Sequence, residues 1–328
     1  MQALVVSNVA SRRTAYFIKA GEYAGVDARF ITYEDLEKNL SSYENVWIKL
    51  EPPWYHEAGF IAWHTQCMEY CRLLRRIGQW KKGETVRFLN EPEAIVHALD
   101  KVKSKEQLAG LRTTPLVASS VAGFDSLVDL LLKERCFNVF IKPRFGSGAG
   151  GILALRYNKR SGALAVYTTL ARHHTFVYNT KRINRLTNPQ EIAILINTIA
   201  DTGLLIEEWI QKDSVEGENY DLRVVCQFGN VEHIVVRCSK GVITNLHLNN
   251  KARLYAELPL PQSIKEEINE LSIRATQLSG LQYAGIDILI ERDTQLPYLI
   301  EVNGQGDHLY QDIYSKNTIY KKQLLQLV

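Results

Sequence analysis

The sequence predicts a mixed α/β protein in which a small parallel α/β unit leads two α+β segments. Three observations predict it. The 328 residues are 46% hydrophobic and 23% charged, enough apolar surface to offset the ordering entropy of two or three units. Short apolar runs alternate with helical periods over the first ninety residues, the pattern of a parallel sheet. Further along, strand-like runs meet across turn signals, the pattern of antiparallel pairs.

Composition excludes several classes. Gly at 20 and Pro at 9 are too few for a collagen-like or linker-dominated chain. The 39 basic residues nearly cancel the 36 acidic ones, leaving +3, so bulk charge gives no argument for a nucleic-acid partner. In the first thirty residues Arg12, Arg13, Lys19 and Glu22 interrupt every apolar run, which argues against a signal peptide. No uninterrupted apolar run approaches the roughly 18 residues of a membrane span. Five scattered cysteines make a poor disulfide framework, so the expected compartment is the cytoplasm. Cys67 and Cys71 stand at i and i+4 without a second Cys/His pair at zinc spacing, and read as small core residues.

The elements follow in order. Residues 3–7 read as a buried strand, 12–24 as a helix, 28–33 and 45–51 as strands, and 56–79 as a long helix. The Glu51-Pro52-Pro53-Trp54-Tyr55 loop leaves a strand end, where open sheets bind ligands, and also reads as a rigid turn under an aromatic lid. Residues 93–109 and 124–134 are expected helices. The strand 138–143 runs straight into a glycine-rich loop, and 151–157 and 163–169 are expected to be its antiparallel continuation. A helix at 189–200 precedes a strand at 204–210. Residues 222–228 and 231–238 flank the turn Gly229-Asn230. A helix at 264–277, strands at 284–290 and 298–302, and a mostly helical stretch from Leu309 complete the chain. The first ninety residues read as one unit.

Three features carry chemistry. Lys142 near a strand end, followed by Gly146-Ser147-Gly148-Ala149-Gly150-Gly151, suits phosphate: glycines let backbone N–H groups approach, and lysine supplies a point charge. It is neither a P-loop nor a dinucleotide fingerprint, and alone it reads equally as a ligand-free glycine hairpin. Asp287, Glu301 and Asn303 lie on two downstream apolar strands; Glu301 and Asn303, two apart, share a face. Such oxygens suit magnesium, though salt bridges at strand ends also account for them. Glu207 and Glu208 interrupt an apolar strand, and the hairpin beyond carries Asp221, Arg223 and Arg237, whose two arginines fit either one shared site or ordinary surface ion pairs.

In this order, these features resemble the ATP-grasp superfamily over about residues 88–306, closest to its ribosomal-protein glutamate ligase and lysine-biosynthesis ligase branch. Asn90-Glu91-Pro92-Glu93-Ala94-Ile95 leads to Asp100-Lys101 as in that branch. The resemblance implies an ATP-grasp fold with a small N-terminal parallel α/β domain, 1–90, and two α+β subdomains clasping ATP, 91–203 and 204–328. By it, Lys101, Lys142 and the loop Gly146, Ser147, Gly148 and Ala149 would contact phosphates. Glu207, Glu208, Trp209 and Ile210 would form the adenine hinge, Asp221 would meet the ribose side, and Asn245 of Thr244-Asn245-Leu246-His247 would also contact ATP. Arg223 and Arg237 would stabilise the transferring phosphate, and Asp287, Glu301 and Asn303 would hold two magnesium ions, with manganese an alternative.

The implied reaction is ADP-forming amide synthesis through an acyl phosphate, joining a small-molecule or peptide carboxylate to an amine. A non-catalytic ATP-binding module and a small-molecule kinase are the alternatives. Dimers are common in the superfamily, so a homo-oligomer is compatible. Two departures bar transfer of the glutamate substrate: Ile243 stands where relatives have arginine, and Gly304-Gln305-Gly306-Asp307-His308 replaces their Ala-Ser-Pro-Gly segment. His247 reads as a packed residue or a base for the amine, and Asp307 as a helix cap or a cation attractor.

Overall fold

In the computed structural model, which describes residues 1–55, 59–79, 86–146, 148–248, 251–305 and 317–328, three sheets account for the strand-like runs. Ser147, Asp307, the start of the long helix at 56–58, residues 309–316 and the side chain of His247 lie outside the described set.

The first sheet is parallel: β1 (Gln2–Ser7), β2 (Asp27–Thr32), β3 (Val46–Leu50) and β4 (Val86–Phe88), in the order β2-β1-β3-β4. Helices α1 (Arg12–Ala24), α2 (Tyr33–Asn39) and α3 (Phe60–Gln79) connect its strands. Ser11 and Thr14 cap α1 reciprocally, and Gly25 ends it at φ +68°, a conformation glycine adopts without strain. Two short helices follow, α4 (Pro92–Leu99) and α5 (Lys101–Gln107).

The second sheet is antiparallel, with β5 (Leu116–Ala118), β6 (Asn138–Pro143), β7 (Leu153–Tyr157), β8 (Leu164–His173), β9 (Phe176–Leu186) and β10 (Leu204–Glu208) in the order β5-β10-β6-β7-β8-β9. Helices α6 (Phe124–Lys133) and α7 (Pro189–Ala200) back it, burying Leu127, Leu131, Ile192 and Ile196. The third sheet orders β14-β13-β12-β15-β16, from β12 (Glu218–Gln227), β13 (Asn230–Ser239), β14 (Lys251–Leu254), β15 (Tyr283–Ile290) and β16 (Pro297–Asn303), with the short β11 (Ser214–Val215) paired to β12 and α8 (Gln262–Leu278) packed against it.

The cores show which parts are joined. One core runs from Leu4, Ile48 and Leu50 through Tyr70 and Leu74 to Val224, Ile286 and Ile288, uniting the first and third sheets. The opposite face of β1 packs with the C-terminal helix Thr318–Leu325 through Phe17, Ile319 and Tyr320. The second sheet has its own core. A cleft can therefore form between the second and third sheets without breaking either hydrophobic core.

Three details depart from the sequence reading. The expected helix over 93–109 breaks at Asp100, whose carboxylate caps α5 by accepting from the N–H groups of Val102 and Lys103 at 3.1 and 3.3 Å. The hairpin turn falls one residue early, on Phe228 and Gly229, both at positive φ (50° and 78°), as a tight two-residue hairpin turn requires. Strand β9 has no regular alternation of buried and exposed positions, so its sequence carries no period-two signal.

Candidate active site

Each side of the cleft is positioned by a local device. Lys101 is the first residue of α5 because Asp100 breaks the helix. Asp100 is held in turn by a two-pronged ion pair with Arg144, Nε and Nη2 at 2.8 and 2.6 Å. The Lys101 N–H also donates to the Arg144 carbonyl at 3.0 Å, so the lysine is anchored to the start of the glycine loop. Its Nζ donates to the Gly146 carbonyl at 2.9 Å and lies 3.6 Å from Glu301 Oε1. Asn90, buried, uses both ends of its amide to tie the segment before α4 to Tyr283 and Gly304, at the ends of β15 and β16.

On the second sheet, β6 and β10 pair so that Lys142 and Glu207 form a buried ion pair. Lys105 of α5 reaches the other Glu207 oxygen at 2.7 Å, and the Thr114 hydroxyl donates to the same oxygen at 3.0 Å. Burial opposes ionisation of Glu207, but Lys142 and Lys105 outweigh it and hold its pKa below the usual carboxylate range.

On the third sheet, register does the positioning. Asp221 of β12 stands opposite Arg237 of β13, and Arg223 stands opposite Asp287 of β15, which pairs with Glu301 of β16. Arg237 Nε lies 2.6 Å from Asp221 and its Nη2 3.3 Å from Asp287; Lys212 lies 2.8 Å from Asp221, and Thr244 also donates to that carboxylate. These two buried aspartates differ. Burial would raise Asp221, but Arg237 and Lys212 pull its pKa down to about 2. At Asp287 burial prevails over Arg223 and Arg237, and its pKa is raised. Asp287 thus sits with less positive charge than its burial requires.

The donor set there fits a hard divalent cation. Asp287 Oδ1 lies 2.7 Å from Arg223 Nε, but without hydrogen-bond alignment, and is otherwise unpartnered. Asn303 donates its amide N–H to the Gly285 carbonyl at 3.2 Å, which leaves its oxygen as an acceptor. Two carboxylates and an amide oxygen are magnesium-type ligands, although no group of three His, Cys, Asp or Glu gathers among the described residues.

The cleft brings together nearly all the expected residues: Lys101, Lys142, Gly146, Gly148, Ala149, Glu207, Glu208, Ile210, Asp221, Arg223, Arg237, Asn245, Asp287, Glu301 and Asn303 line it. Ile243, the departure from the family pattern, lines it too. Trp209 is not among the lining residues. Glu208 and Ile210 on either side line the cleft, while its indole packs against Phe140, Tyr167 and the Arg156 guanidinium, 4.4 Å over the ring. Sequence reasoning does not single out Lys105 and Lys212: in the run Lys101-Val102-Lys103-Ser104-Lys105 nothing distinguishes the half-buried Lys105 from the exposed Lys103.

Charge around the cleft is balanced. Among the described lining residues five are basic (Lys101, Lys142, Lys212, Arg223, Arg237) and five acidic (Glu207, Glu208, Asp221, Asp287, Glu301). The glycine loop closes one end. A Cβ on Gly146, at φ +147°, would fall 2.6 Å from the Trp63 ring, so loop and α3 approach as only glycine permits.

Residues 109–327 match the YheC/D-like ATP-grasp family. The chain belongs to that family. This YheC/D-like ATP-grasp protein is 22% identical, over 244 residues, to the tetrahydromethanopterin:α-L-glutamate ligase of Methanococcus maripaludis, covering 71% of this chain and 70% of the relative. Its fold matches the D-cycloserine synthetase DcsG across both whole chains, with a TM-score of 0.64 at 14% identity. It also matches the D-alanine–D-alanine ligase of Bacillus anthracis complexed with ATP, with a TM-score of 0.56 at 14% identity, covering 100% of this chain and 95% of the other. The expected superfamily, mixed α/β fold, ATP as nucleotide and class of ATP-dependent carboxylate–amine ligase are borne out. No helix among the described residues is long and apolar enough to cross a membrane.

Proposed function

We propose that the cleft transfers the γ-phosphate of ATP to a carboxylate, and that an amine then displaces phosphate from the acyl phosphate to give an amide, ADP and phosphate. The observation that carries this reading is the register of the third sheet, which ranges Arg237, Arg223, Asp287 and Glu301 across the cleft from Lys142. Phosphoryl transfer needs positioning and charge neutralisation rather than a protein nucleophile. Lys101 and Lys142 bind phosphate oxygens, the backbone of the Glu207–Ile210 segment receives adenine, and Asp221 lies on the ribose side. Asn245, which lines the cleft beside Thr244, completes the nucleotide contacts. Arg223 and Arg237 stabilise charge on the transferring group.

Asp287, Glu301 and Asn303 would hold magnesium, as one or two ions, or manganese. A divalent cation there offsets phosphate charge, and the balanced cleft favours one: five bases already face five acids, so ATP meets no net positive charge. The glycine loop against Trp63 excludes water from the acyl phosphate. Residues 1–90, 91–203 and 204–328 serve as leader, glycine-loop unit and metal-bearing unit, with β10 of the last contributing to the central sheet. Substrates are a small-molecule or peptide carboxylate and an amine, and the compartment is the cytoplasm.

The test is a panel of carboxylates with ATP, magnesium and hydroxylamine. Hydroxamate and ADP formed together, and amine-dependent ADP release, are expected. A stable phosphorylated product without an amine requirement would indicate a kinase. ATP binding with neither product would overturn the reading.

A further inference from the structure

A second cavity of about 520 Å³ adjoins the nucleotide cleft beyond the carboxyl end of β3. It shares Gly146, Gly148, Arg223, Glu301 and Asn303 with the cleft, so a group held in it reaches the phosphoryl-transfer end directly. Its aromatic side chains come from three places: Trp54 and Tyr55 from the loop after β3, Trp63 and Tyr70 from α3, and Phe176 and Tyr178 from β9. The Trp54 loop is pinned at that wall, its backbone exchanging hydrogen bonds of 2.7 and 2.9 Å with the Asn8 side chain.

The lining is mixed but largely uncharged, with the amides of Asn179, Asn245 and Gln305 beside the rings. Only three described lining residues are charged, and each faces a partner: Arg13 lies 3.5 Å from Glu51, Arg223 2.7 Å from Asp287, and Glu301 3.6 Å from Lys101. With Arg223 at the shared end given to the reacting carboxylate, a second carboxylate would find among the described lining residues only Arg13, which faces Glu51. An aromatic or broad apolar body, in contrast, finds six rings. Phe176 and Trp54 are 54% and 69% exposed, an apolar surface that a ligand in the cavity would cover.

We infer that the cavity takes a carboxylic acid whose carboxylate sits at Arg223 and whose body is an aromatic or similarly broad apolar group held by these rings. The inference rests on the ligase reading above and names its substrate class. The departure Ile243 agrees with it, since an uncharged side chain lines the cleft where relatives have arginine.

The experiment has two arms. In the first, hydroxamate formation is compared for N-acetylphenylalanine, N-acetyltryptophan, 3-phenylpropanoate, N-acetylalanine and N-acetylglutamate. The aromatic acids are expected to have kcat/KM about tenfold or more above the others. Phe176→Ala and Tyr178→Ala should each raise KM for the aromatic acid about tenfold while leaving kcat and the ATP KM unchanged, and Tyr178→Phe should restore it. In the second arm, binding of 3-phenylpropanoate and N-acetyltryptophan is measured by calorimetry with a non-hydrolysable ATP analogue, which needs no turnover. Binding that is weakened in Phe176→Ala supports the inference. Equal or better turnover of the alanine or glutamate derivative overturns the substrate class while leaving the ligase intact. Hydroxamate from no acid overturns the ligase reading, and failure of the aromatic acids to bind overturns the inference by itself.

Discussion

Strands β3 and β6 end almost alike, in Val-Trp-Ile-Lys-Leu and Val-Phe-Ile-Lys-Pro, and each buries its lysine beside a glutamate. Their roles differ. Lys49 is fully buried, 3.3 Å from Glu51, with the Tyr283 ring 3.7 Å and the Tyr320 ring 5.1 Å from its ammonium. It fastens the first sheet to the third sheet and the C-terminal helix, and Tyr320 donates to the same glutamate at 3.3 Å. Lys142 is nearly as buried, but it lines the nucleotide cleft. A buried charge is therefore not by itself the mark of a working site. What separates the two lysines is access: rings roof one, and the other opens on a space that a polyanion can enter.

The largest expected effect would break this comparison if it failed. Lys142→Met should lower kcat/KM for ATP by about 10²–10³-fold, the usual cost of removing a preorganised charge from a transferring phosphate. Steady-state kinetics on protein of unchanged circular dichroism checks it. A change of under fivefold would place Lys142 with Lys49 as a structural lysine.

Lys49→Met should show the converse, a lower melting temperature with kcat per folded molecule unchanged, since breaking one partner of a buried pair is destabilising. Its pH dependence is specific. Burial lowers the Lys49 pKa from its ordinary 10.5 to about 8, so the unfolded chain binds this proton more tightly. Stability should therefore rise between pH 8 and 10.5, by about 3 kcal/mol relative to Lys49→Met. Denaturant titrations of both proteins across that window give the difference, and parallel curves would refute it.

The smallest effect concerns Asp221, buried like the lysines and held by cations on both sides. Its folded pKa of about 2 lies below the ordinary 3.8, so its contribution is complete above that value and is lost as pH falls toward 2. Acid unfolding should cost the native protein about 2 kcal/mol more than Asp221→Asn over that interval. An equal acid sensitivity would mean that the pairs to Arg237 and Lys212 do not hold in solution.

Much of the site is legible in the amino-acid sequence. The glycine loop after Lys142, the strand-borne Asp287, and Glu301 two residues from Asn303 stand out because charged or flexible residues interrupt apolar runs. Lys105 and Lys212 are not legible, because their partner carboxylates lie on other elements or across a turn. Motif order gives Trp209 a position along the chain, while the packing of Phe140 and Tyr167 decides which side its indole takes. The break at Asp100 needs Arg144, 44 residues on, to hold the capping carboxylate.

Features that depend on near neighbours are written in the chain itself: the strand runs, the hairpin and the order of the motifs. Propensity, capping and turn chemistry act over a few residues, so they need no distant partner. The assembled sheets settle the rest: which charges face one another, which lysine is sealed, and that an aromatic cavity adjoins the cleft. Coulomb energy and burial depend on distances and surroundings that the chain acquires only when its sheets come together.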